Sequence, residues 1–244
     1  MTELRRIAEC ASTQDEAFAA AAAGAPSGTA IVAAVQTGGR GSRGQRWASA
    51  EGGLWLSVLL RAAGTVAPDL VSMRVGLAVA DALATLGGLP DVQLKWPNDL
   101  LVDERKVGGV LVEAHWSAGQ LELLVVGVGL NVRNAPPADA RWPAVCLAEW
   151  LPAVQVEAVL GRVVAAVRAV ALTGDALSAA EMRRFASRDA LRGQRLHAPA
   201  GGRADGIESD GRLRVRLADD AVVLLRSGPV IPLDSQAPWR TAEA

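Results

Sequence analysis

Apolar residues recur along the chain at two different spacings, which predict helices and strands in alternation. Helical spacing of valine and leucine marks one stretch from Pro68 to Gly87 and another from Val156 to Val167. A third, short helix is expected before Gly24, because an alanine-rich run follows two overlapping capping boxes, Ser12 with Asp15 and Thr13 with Glu16. Five further runs have strand character: Ile31–Val35, Leu54–Leu60, Val92–Lys95, Val107–Glu113 and Leu121–Val128. The pattern predicts an α+β domain built on a sheet with flanking helices.

The pattern changes after about residue 188 to short β segments separated by turns. Arg212 to Leu217 alternates strictly between polar and apolar residues, and Asp210-Gly211 before it is a strong hairpin signal. We therefore expect residues 1–188 to form the main domain, residues 189–234 a small C-terminal β-barrel, and residues 235–244 a tail.

Composition excludes several classes of function. Half of the 244 residues are hydrophobic, and the net charge is −1 with dispersed basic residues, which argues against direct DNA binding. No apolar run is long enough to span a membrane, and the N-terminus lacks the apolar core of a signal peptide. Cys10 and Cys146 are isolated and fit reduced thiols. We expect a cytoplasmic protein, a monomer or weak homodimer, with no membrane contact.

Two segments carry candidate chemistry. Gln36 to Trp47 is a glycine-rich stretch with three arginines, in which backbone N–H groups and guanidinium groups can approach an anion. Lys95 to Gly109 places an amide, a carboxylate and a lysine beside strand-like sequence. Neither segment has the spacing of a Walker loop or of a dinucleotide-binding turn. Together they indicate a site that holds a nucleotide against an acyl group.

Five motifs, in order, resemble those of the biotin protein ligases: Ser12-Thr-Gln14, Gln36 with Gly39-Arg-Gly41, Lys95-Trp-Pro-Asn-Asp99, Arg105-Lys-Val-Gly-Gly109, and Val126-Gly-Val-Gly-Leu-Asn131. The resemblance implies a class II synthetase-like mixed β-sheet with flanking helices, plus a small C-terminal SH3-like β-barrel. Larger relatives carry an N-terminal DNA-binding domain, which we do not expect here, since the first motif begins at residue 12.

The resemblance also implies an activity. ATP and Mg²⁺ would activate biotin as biotinyl-5′-adenylate, and a lysine of a biotin carboxyl carrier protein would then accept the biotinyl group. Lys106 and Arg40 would be catalytic. The biotin site would comprise Ser12, Thr13, Gln14, Gln36, Arg40, Gly41, Ser42, Lys106 and Gly109. The ATP site would comprise Arg43, Arg46, Trp47, Asn98, Asp99 and Asn131, with Asp99 as the Mg²⁺ ligand.

Each of these residues also has a plainer interpretation. Ser12 and Thr13 can serve as helix caps alone, Asn98-Asp99 can be a simple turn, and Lys106 can be an exposed hairpin lysine. Two other functions also stay open: a lipoyl or octanoyl transferase of the same fold, and a biotin-responsive regulator without turnover.

One residue departs from the family pattern. Ser42 stands where the family usually has a basic residue that helps the loop close over the adenylate. A neutral hydroxyl provides a weaker hydrogen bond than a charged donor. We therefore expect weaker retention of the adenylate, unless Arg43 replaces the missing charge.

Overall fold

A seven-stranded mixed sheet forms the centre of the molecule, in a computed structural model that describes residues 3–61, 66–137, 142–198, 201–228 and 230–233. The strand order is β1-β2-β3-β7-β6-β5-β4. β1 and β2 are parallel, and every other neighbouring pair is antiparallel. The strands are β1 (Leu4–Cys10), β2 (Ala30–Gln36), β3 (Leu54–Arg61), β4 (Gln93–Lys95), β5 (Asp99–Val102), β6 (Arg105–Ser117) and β7 (Gln120–Leu130). The predicted fold class is confirmed.

Helices cover both faces of this sheet. The long helices α2 (Pro68–Ala84) and α3 (Val156–Arg168) bury one face in a large core of valine and leucine. The short helix α1 (Thr13–Ala22) packs its alanines on the other face, against Ile31, Leu59 and Val125. A fourth helix, α4 (Ala179–Ala186), contacts α2. Since alanine occupies little volume, α1 covers its face only in part and leaves room beside it.

Several elements differ from the sequence prediction. β1, β5 and α4 were not predicted, although α4 begins with a capping box between Ser178 and Glu181. At α1 the predicted start is right, but the two capping boxes are wrong. Ser12 caps the helix by accepting a hydrogen bond from the Gln14 N–H, while Thr13 and Asp15 bond to residues far away in the chain. Tertiary contacts have replaced local capping there.

Two small antiparallel sheets follow in the C-terminal region. β9 (Arg203–Ile207), β10 (Leu213–Arg216) and β11 (Val222–Leu225) form one, and β8 (Leu196–Ala198) pairs with β12 (Ile231–Pro232) in the other. Their buried side chains belong to the same core as the large sheet. The domain boundary at residue 188 and closure into an SH3-like barrel stay predictions, and the predicted tail, residues 235–244, lies outside the described residues.

One register of the large sheet organises the molecule for function. Lys95 on β4 pairs with Asp99 on β5, Asp99 with Gly109 on β6, Gly109 with Gly129 on β7, and Gly129 with Trp55 on β3. Residues directly opposite one another share a face of a sheet. This row therefore runs across five strands on the face that α1 covers, with two glycines at its centre.

A buried hydrogen bond joins the C-terminal region to this row. The indole Nε1 of Trp96, next to Lys95, donates to the Gly211 carbonyl at 2.8 Å. We predict that Trp96→Phe lowers the free energy of unfolding by about 1–3 kcal/mol, because it leaves a buried carbonyl without its donor. Urea unfolding measures this. Trp116→Phe is the control, since Trp116 is 54% exposed, and should change stability by less than about 0.5 kcal/mol. Equal values for both variants would contradict the role of this bond.

Candidate functional site

A cavity of about 800 Å³ opens on the face of the sheet that carries α1. All fifteen residues predicted to form the site line it: Ser12, Thr13, Gln14, Gln36, Arg40, Gly41, Ser42, Arg43, Arg46, Trp47, Asn98, Asp99, Lys106, Gly109 and Asn131. These residues come from four separate stretches of sequence. The fold therefore brings the predicted residues together, while their individual roles stay predictions.

Glycines on β7 form part of the cavity floor. A Cβ atom at Gly129 would lie 2.7 Å from the Trp47 Nε1, and one at Gly127 would lie 3.3 Å from the Gln14 side-chain amide carbon. The Gly129 contact is too short for any larger residue unless Trp47 moves. Trp47 therefore lies against the strand backbone, where it also meets Trp55 edge to face at 6.5 Å between ring centroids.

A chain of hydrogen bonds crosses the end of the cavity next to α1. Thr13 Oγ1 lies 2.8 Å from Ser57 Oγ and 3.0 Å from Gln36 Oε1, and Gln36 Nε2 donates to Ser49 Oγ at 2.8 Å. The Thr13 backbone N–H also donates to Gln36 Oε1, at 2.8 Å. Hydroxyl and amide groups are thus fixed at this end, and they can both donate to and accept from a neutral polar ligand.

A largely buried carboxylate, that of Asp99, lies at the opposite end. Asp99 Oδ1 lies 2.5 Å from Lys106 Nζ, and Asp99 Oδ2 lies 3.4 Å from Lys95 Nζ. Each ammonium group also faces an indole ring, Lys106 that of Trp47 at 5.0 Å and Lys95 that of Trp142 at 4.9 Å from the ring centroid. Both contacts are within the range of a cation–π interaction. The two lysines are therefore held firmly, one on each oxygen of Asp99.

The pKa values of Asp99 and Lys95 are set by burial and by the charges of the neighbouring side chains. Burial acts to raise the pKa of the Asp99 carboxyl, but the ammonium groups of Lys106 and Lys95 together hold that pKa below its ordinary value. Burial lowers the pKa of Lys95; Asp99 opposes this, and the nearby Lys106 and Arg43 reinforce it. An anion entering beside the lysines would meet groups with an excess of positive charge.

The glycine-rich loop is folded over the cavity by its own hydrogen bonds. The Gly41 N–H donates to the Gln45 carbonyl at 2.7 Å, and the Trp47 N–H donates to the Gly39 carbonyl at 2.9 Å. Arg43 at its tip has a φ of 58°, in the left-handed region that costs a residue with a side chain about 1–2 kcal/mol. Arg43 and Arg46 are exposed. The loop thus presents two guanidinium groups at the cavity mouth.

Arg40, at the start of the loop, is tied to two carboxylates. Its guanidinium donates to both oxygens of Asp15 on α1, at 2.8 and 2.9 Å, and to Glu113 on β6 at 3.2 Å. The hydrogen bond with Asp15 makes the largest contribution to a raised pKa of Arg40, and the same bond lowers the pKa of Asp15. Arg40 therefore anchors the loop to α1 and to the sheet.

Five cationic side chains and one carboxylate are found among the described residues that line the cavity: Arg40, Arg43, Arg46, Lys95 and Lys106 against Asp99. Among the cavity-lining residues, two buried polar atoms, Gln14 Oε1 and Trp47 Nε1, have no hydrogen-bond partner within the described part of the chain. Buried polar groups are almost always paired in proteins. The cavity is therefore suited to a ligand that is polyanionic at one end and polar at the other.

Two asparagines complete the wall near Asp99. Asn98 Nδ2 donates to the Val110 carbonyl at 2.8 Å, and Asn131 Oδ1 accepts from Asn134 Nδ2 at 2.9 Å. Asn131 is also buried. Both amides are therefore held in one orientation by these bonds.

The residues present fit a metal ion only together with phosphate oxygens. No group of three or more His, Cys, Asp or Glu side chains that could hold a metal occurs in the described ranges. Mg²⁺ is often bound by one or two carboxylates plus substrate phosphates, and Asp99 can supply one oxygen if a lysine releases it. Asp99 thus agrees with the predicted Mg²⁺ ligand in chemistry, but it is engaged by lysines in this structure.

Sequence reasoning missed four residues that hold the predicted ones in place. Asp15 and Glu113 orient Arg40, Ser57 bonds to Thr13, and Lys95 bonds to Asp99. Asp15 and Glu113 lie 25 and 73 residues from Arg40, so no local pattern links them. Lys95 did carry a signal, because the chain has two lysines in total.

Comparison with known proteins agrees with this site. Residues 10–131 match the model of the Biotin/lipoate A/B protein ligase family, which is half of the chain. That range contains every residue predicted to form the site. None of the described helices combines the length and apolarity needed to cross a bilayer.

The chain is similar to individual relatives both in sequence and in structure. A biotin--[acetyl-CoA-carboxylase] ligase from Mycobacterium tuberculosis is 39% identical over 140 residues, covering 55% of this chain and 51% of the relative. The matched region spans about half the length of this curated relative and as little as 32% of another. Biotin protein ligase from Aquifex aeolicus in complex with biotin and ATP superimposes with a TM-score of 0.77 at 27% identity, covering 94% of this chain and 98% of that chain. A Leishmania major biotin protein ligase in complex with biotinyl-5-AMP gives a TM-score of 0.65 at 25% identity, covering 92% of this chain and 99% of that chain.

The anchoring of Arg40 leads to a test of loop order. We predict that Asp15→Asn speeds hydrogen exchange across Gly38–Trp47 by up to about fivefold, because an exposed ion pair contributes roughly 0.2–1 kcal/mol. Hydrogen-exchange mass spectrometry measures the effect. Glu16→Gln is the control, since this neighbouring acid on α1 forms no ion pair with any of the described residues. Exchange that is equal in Asp15→Asn, Glu16→Gln and the unmodified protein would show that Arg40 does not anchor the loop through Asp15.

Proposed function

The chain belongs to the Biotin/lipoate A/B protein ligase family, and we propose that it is an ATP-dependent biotin protein ligase. In the first step the biotin carboxylate attacks the α-phosphate of ATP, forming biotinyl-5′-adenylate and releasing pyrophosphate. In the second step the amine of an acceptor lysine attacks the mixed anhydride, forming an amide and releasing AMP and a proton. No covalent intermediate with the protein is required.

The observation that carries this proposal is the polarity of the cavity. Fixed hydroxyl and amide groups of Thr13, Ser57 and Gln36 lie at one end, and the Asp99 group with its two lysines lies at the other. The glycine floor connects these ends. The first end suits the ureido ring of biotin, and the second suits phosphate. The carboxylate of biotin would lie between them, beside Lys106.

The protein's own residues would act mainly by charge and position. Lys106 would donate hydrogen bonds to both the carboxylate and the α-phosphate, because a compact ammonium group can lie between two anions that would otherwise repel each other. Arg40 would support the same charges from the loop. Trp47 and the loop would shield the adenylate from water, which otherwise hydrolyses it. Ser12, Gln14, Gly41, Ser42 and Gly109 would enclose biotin, while Arg43, Arg46, Asn98 and Asn131 would contact the nucleotide.

Cofactor and partner follow from the same chemistry. Mg²⁺, when bound with ATP, would neutralise phosphate charge, with Asp99 as its protein ligand. The acceptor would be the biotin carboxyl carrier domain of a carboxylase; the name of the mycobacterial relative gives acetyl-CoA-carboxylase as that protein's acceptor. We place the reaction in the cytoplasm, and the unpaired thiols of Cys10 and Cys146 are compatible with a reducing compartment. A monomer or weak homodimer without DNA binding remains our prediction.

The role of Lys106 gives the direct test of this function. Lys106→Ala should slow biotin-dependent pyrophosphate release by about 10²-fold or more, because the lost charge acts on the reacting groups in the transition state. Arg105→Ala is the matched control, since Arg105 pairs with Glu149 outside the cavity.

Lipoate and octanoate are measured beside biotin in the same assay. Pyrophosphate release with lipoate or octanoate, and none with biotin, would show that the protein belongs to the lipoyl branch of the family instead. Near-normal release by a folded Lys106→Ala variant would refute the catalytic role of Lys106.

Ser42 gives a test of adenylate retention. Ser42 lines the cavity beside the exposed Arg43, and we predict that Ser42→Arg slows dissociation of preformed adenylate about tenfold through about 1.4 kcal/mol of charge-assisted hydrogen bonding. Stopped-flow dissociation measures the rate. Ser42→Gln controls for side-chain length without charge. An unchanged or faster rate in Ser42→Arg would mean that Arg43 already supplies the contact.

A further inference from the structure

Lysine is rare in this chain and is concentrated at one place. Of the 25 basic residues, two are lysines, Lys95 and Lys106, and the rest are arginines. Both lysines bond to the same carboxylate, that of Asp99, inside the cavity. Arginine and lysine differ in shape, since an ammonium group is a compact point charge with three rotatable donors. Lys106 has a proposed role, but Lys95 has none so far.

Lys95 is more than Asp99 needs as a counter-ion. One ammonium group, that of Lys106 at 2.5 Å, already neutralises the carboxylate. The Lys95 side chain is 10% exposed, and burying a second ammonium group is costly unless it is paired. With both lysines protonated the group carries a net positive charge, and Lys95 lines the cavity. Anion binding therefore explains this arrangement better than a contribution to the stability of the fold does.

The sheet register places Lys95 at the far end of the cavity. The row of paired residues runs from Trp55 on β3 over Gly129 and Gly109 to Asp99 and then Lys95. Neighbouring strands lie about 4.8 Å apart. Lys106 lies between Asp99 Oδ1 and the Trp47 ring, which itself packs on Gly129, whereas Lys95 lies between Asp99 Oδ2 and the Trp142 ring. A substrate that extends from the Ser57 side of this floor therefore meets Lys106 before Lys95.

We propose that Lys95 binds the phosphates of ATP beyond the α-phosphate, and therefore the pyrophosphate that leaves. Before ATP binds, Asp99 holds one lysine on each of its oxygens, which places Lys106 for the reacting phosphate and Lys95 for the leaving group. The phosphates then take over the lysines and free an Asp99 oxygen for Mg²⁺. The contact forms with ATP and with free pyrophosphate, and it is absent with AMP. This inference rests on the proposed adenylating function.

Calorimetric binding of three probes, ATP, inorganic pyrophosphate and AMP, tests the inference without turnover. Lys95→Met keeps the length and apolar volume of the stem and removes the charge. We expect it to weaken ATP and pyrophosphate binding about tenfold, equal to about 1.4 kcal/mol, and to change AMP binding by less than about twofold. Arg105→Met is the matched control, because it removes a positive charge next to Lys106 but outside the cavity. It should leave all three affinities unchanged.

A second measurement needs no substitution in the tested protein. Lysine labelled with ¹³C at Cε gives two side-chain signals in this chain, which Lys95→Met assigns if it folds and Lys106→Ala assigns otherwise. Pyrophosphate should shift the Lys95 signal, and AMP should shift the Lys106 signal alone.

The outcomes separate this inference from the proposed function. Equal weakening of AMP binding and pyrophosphate binding by Lys95→Met would overturn the role of Lys95 and leave the proposed function intact. A Lys95 signal that does not shift when pyrophosphate is added would do the same. Failure of the unmodified protein to bind ATP at all would refute the function itself.

Discussion

The carboxylate of Asp99 is the interaction on which the candidate site depends. It binds two ammonium groups in a largely buried environment, where burying an unpaired charge would cost a large amount of free energy. Each lysine is further placed by an indole ring, so Trp47 and Trp142 are part of the same arrangement. Removing Asp99 would release both lysines and leave two like charges close together. A single acid thus keeps the cationic end of the cavity assembled before any substrate arrives.

The sheet supplies the second constraint, because its register decides what lies beside Asp99. Gly109 and Gly129 continue the row from Asp99 toward Trp55, and their missing side chains leave the space that a substrate needs. On the opposite face the same strands contribute valine and leucine to the core under α2 and α3. One face of the sheet therefore packs into the core and stabilises the fold. On the other face the glycines and the alanines of α1 have small side chains or none, which leaves space for the cavity. The division follows from the two-residue period of a strand.

Local sequence patterns predicted the residues that line the site better than the residues that hold them in place. Lys106, Asp99 and the glycine-rich loop occur in short motifs, and the motifs align in space because strands β4 to β7 are neighbours. The partners of Arg40 could not be found in this way, because Asp15 and Glu113 meet it only after α1 and β6 have packed. The capping boxes at α1 failed for the same reason, since Thr13 bonds to Gln36 and Ser57 across the cavity. β1 and α4 were missed because their patterns are short and mostly polar on the exposed side.

The most direct test of the account is transfer of biotin to an acceptor. The protein is incubated with biotin, ATP and a biotin carboxyl carrier domain, and the intact mass of the carrier is measured. A biotin protein ligase should add the mass of one biotinyl group to a single lysine of the carrier, and should add nothing when ATP or biotin is omitted. A carrier of unchanged mass in the complete mixture, with a folded protein that binds both ligands, would contradict this prediction.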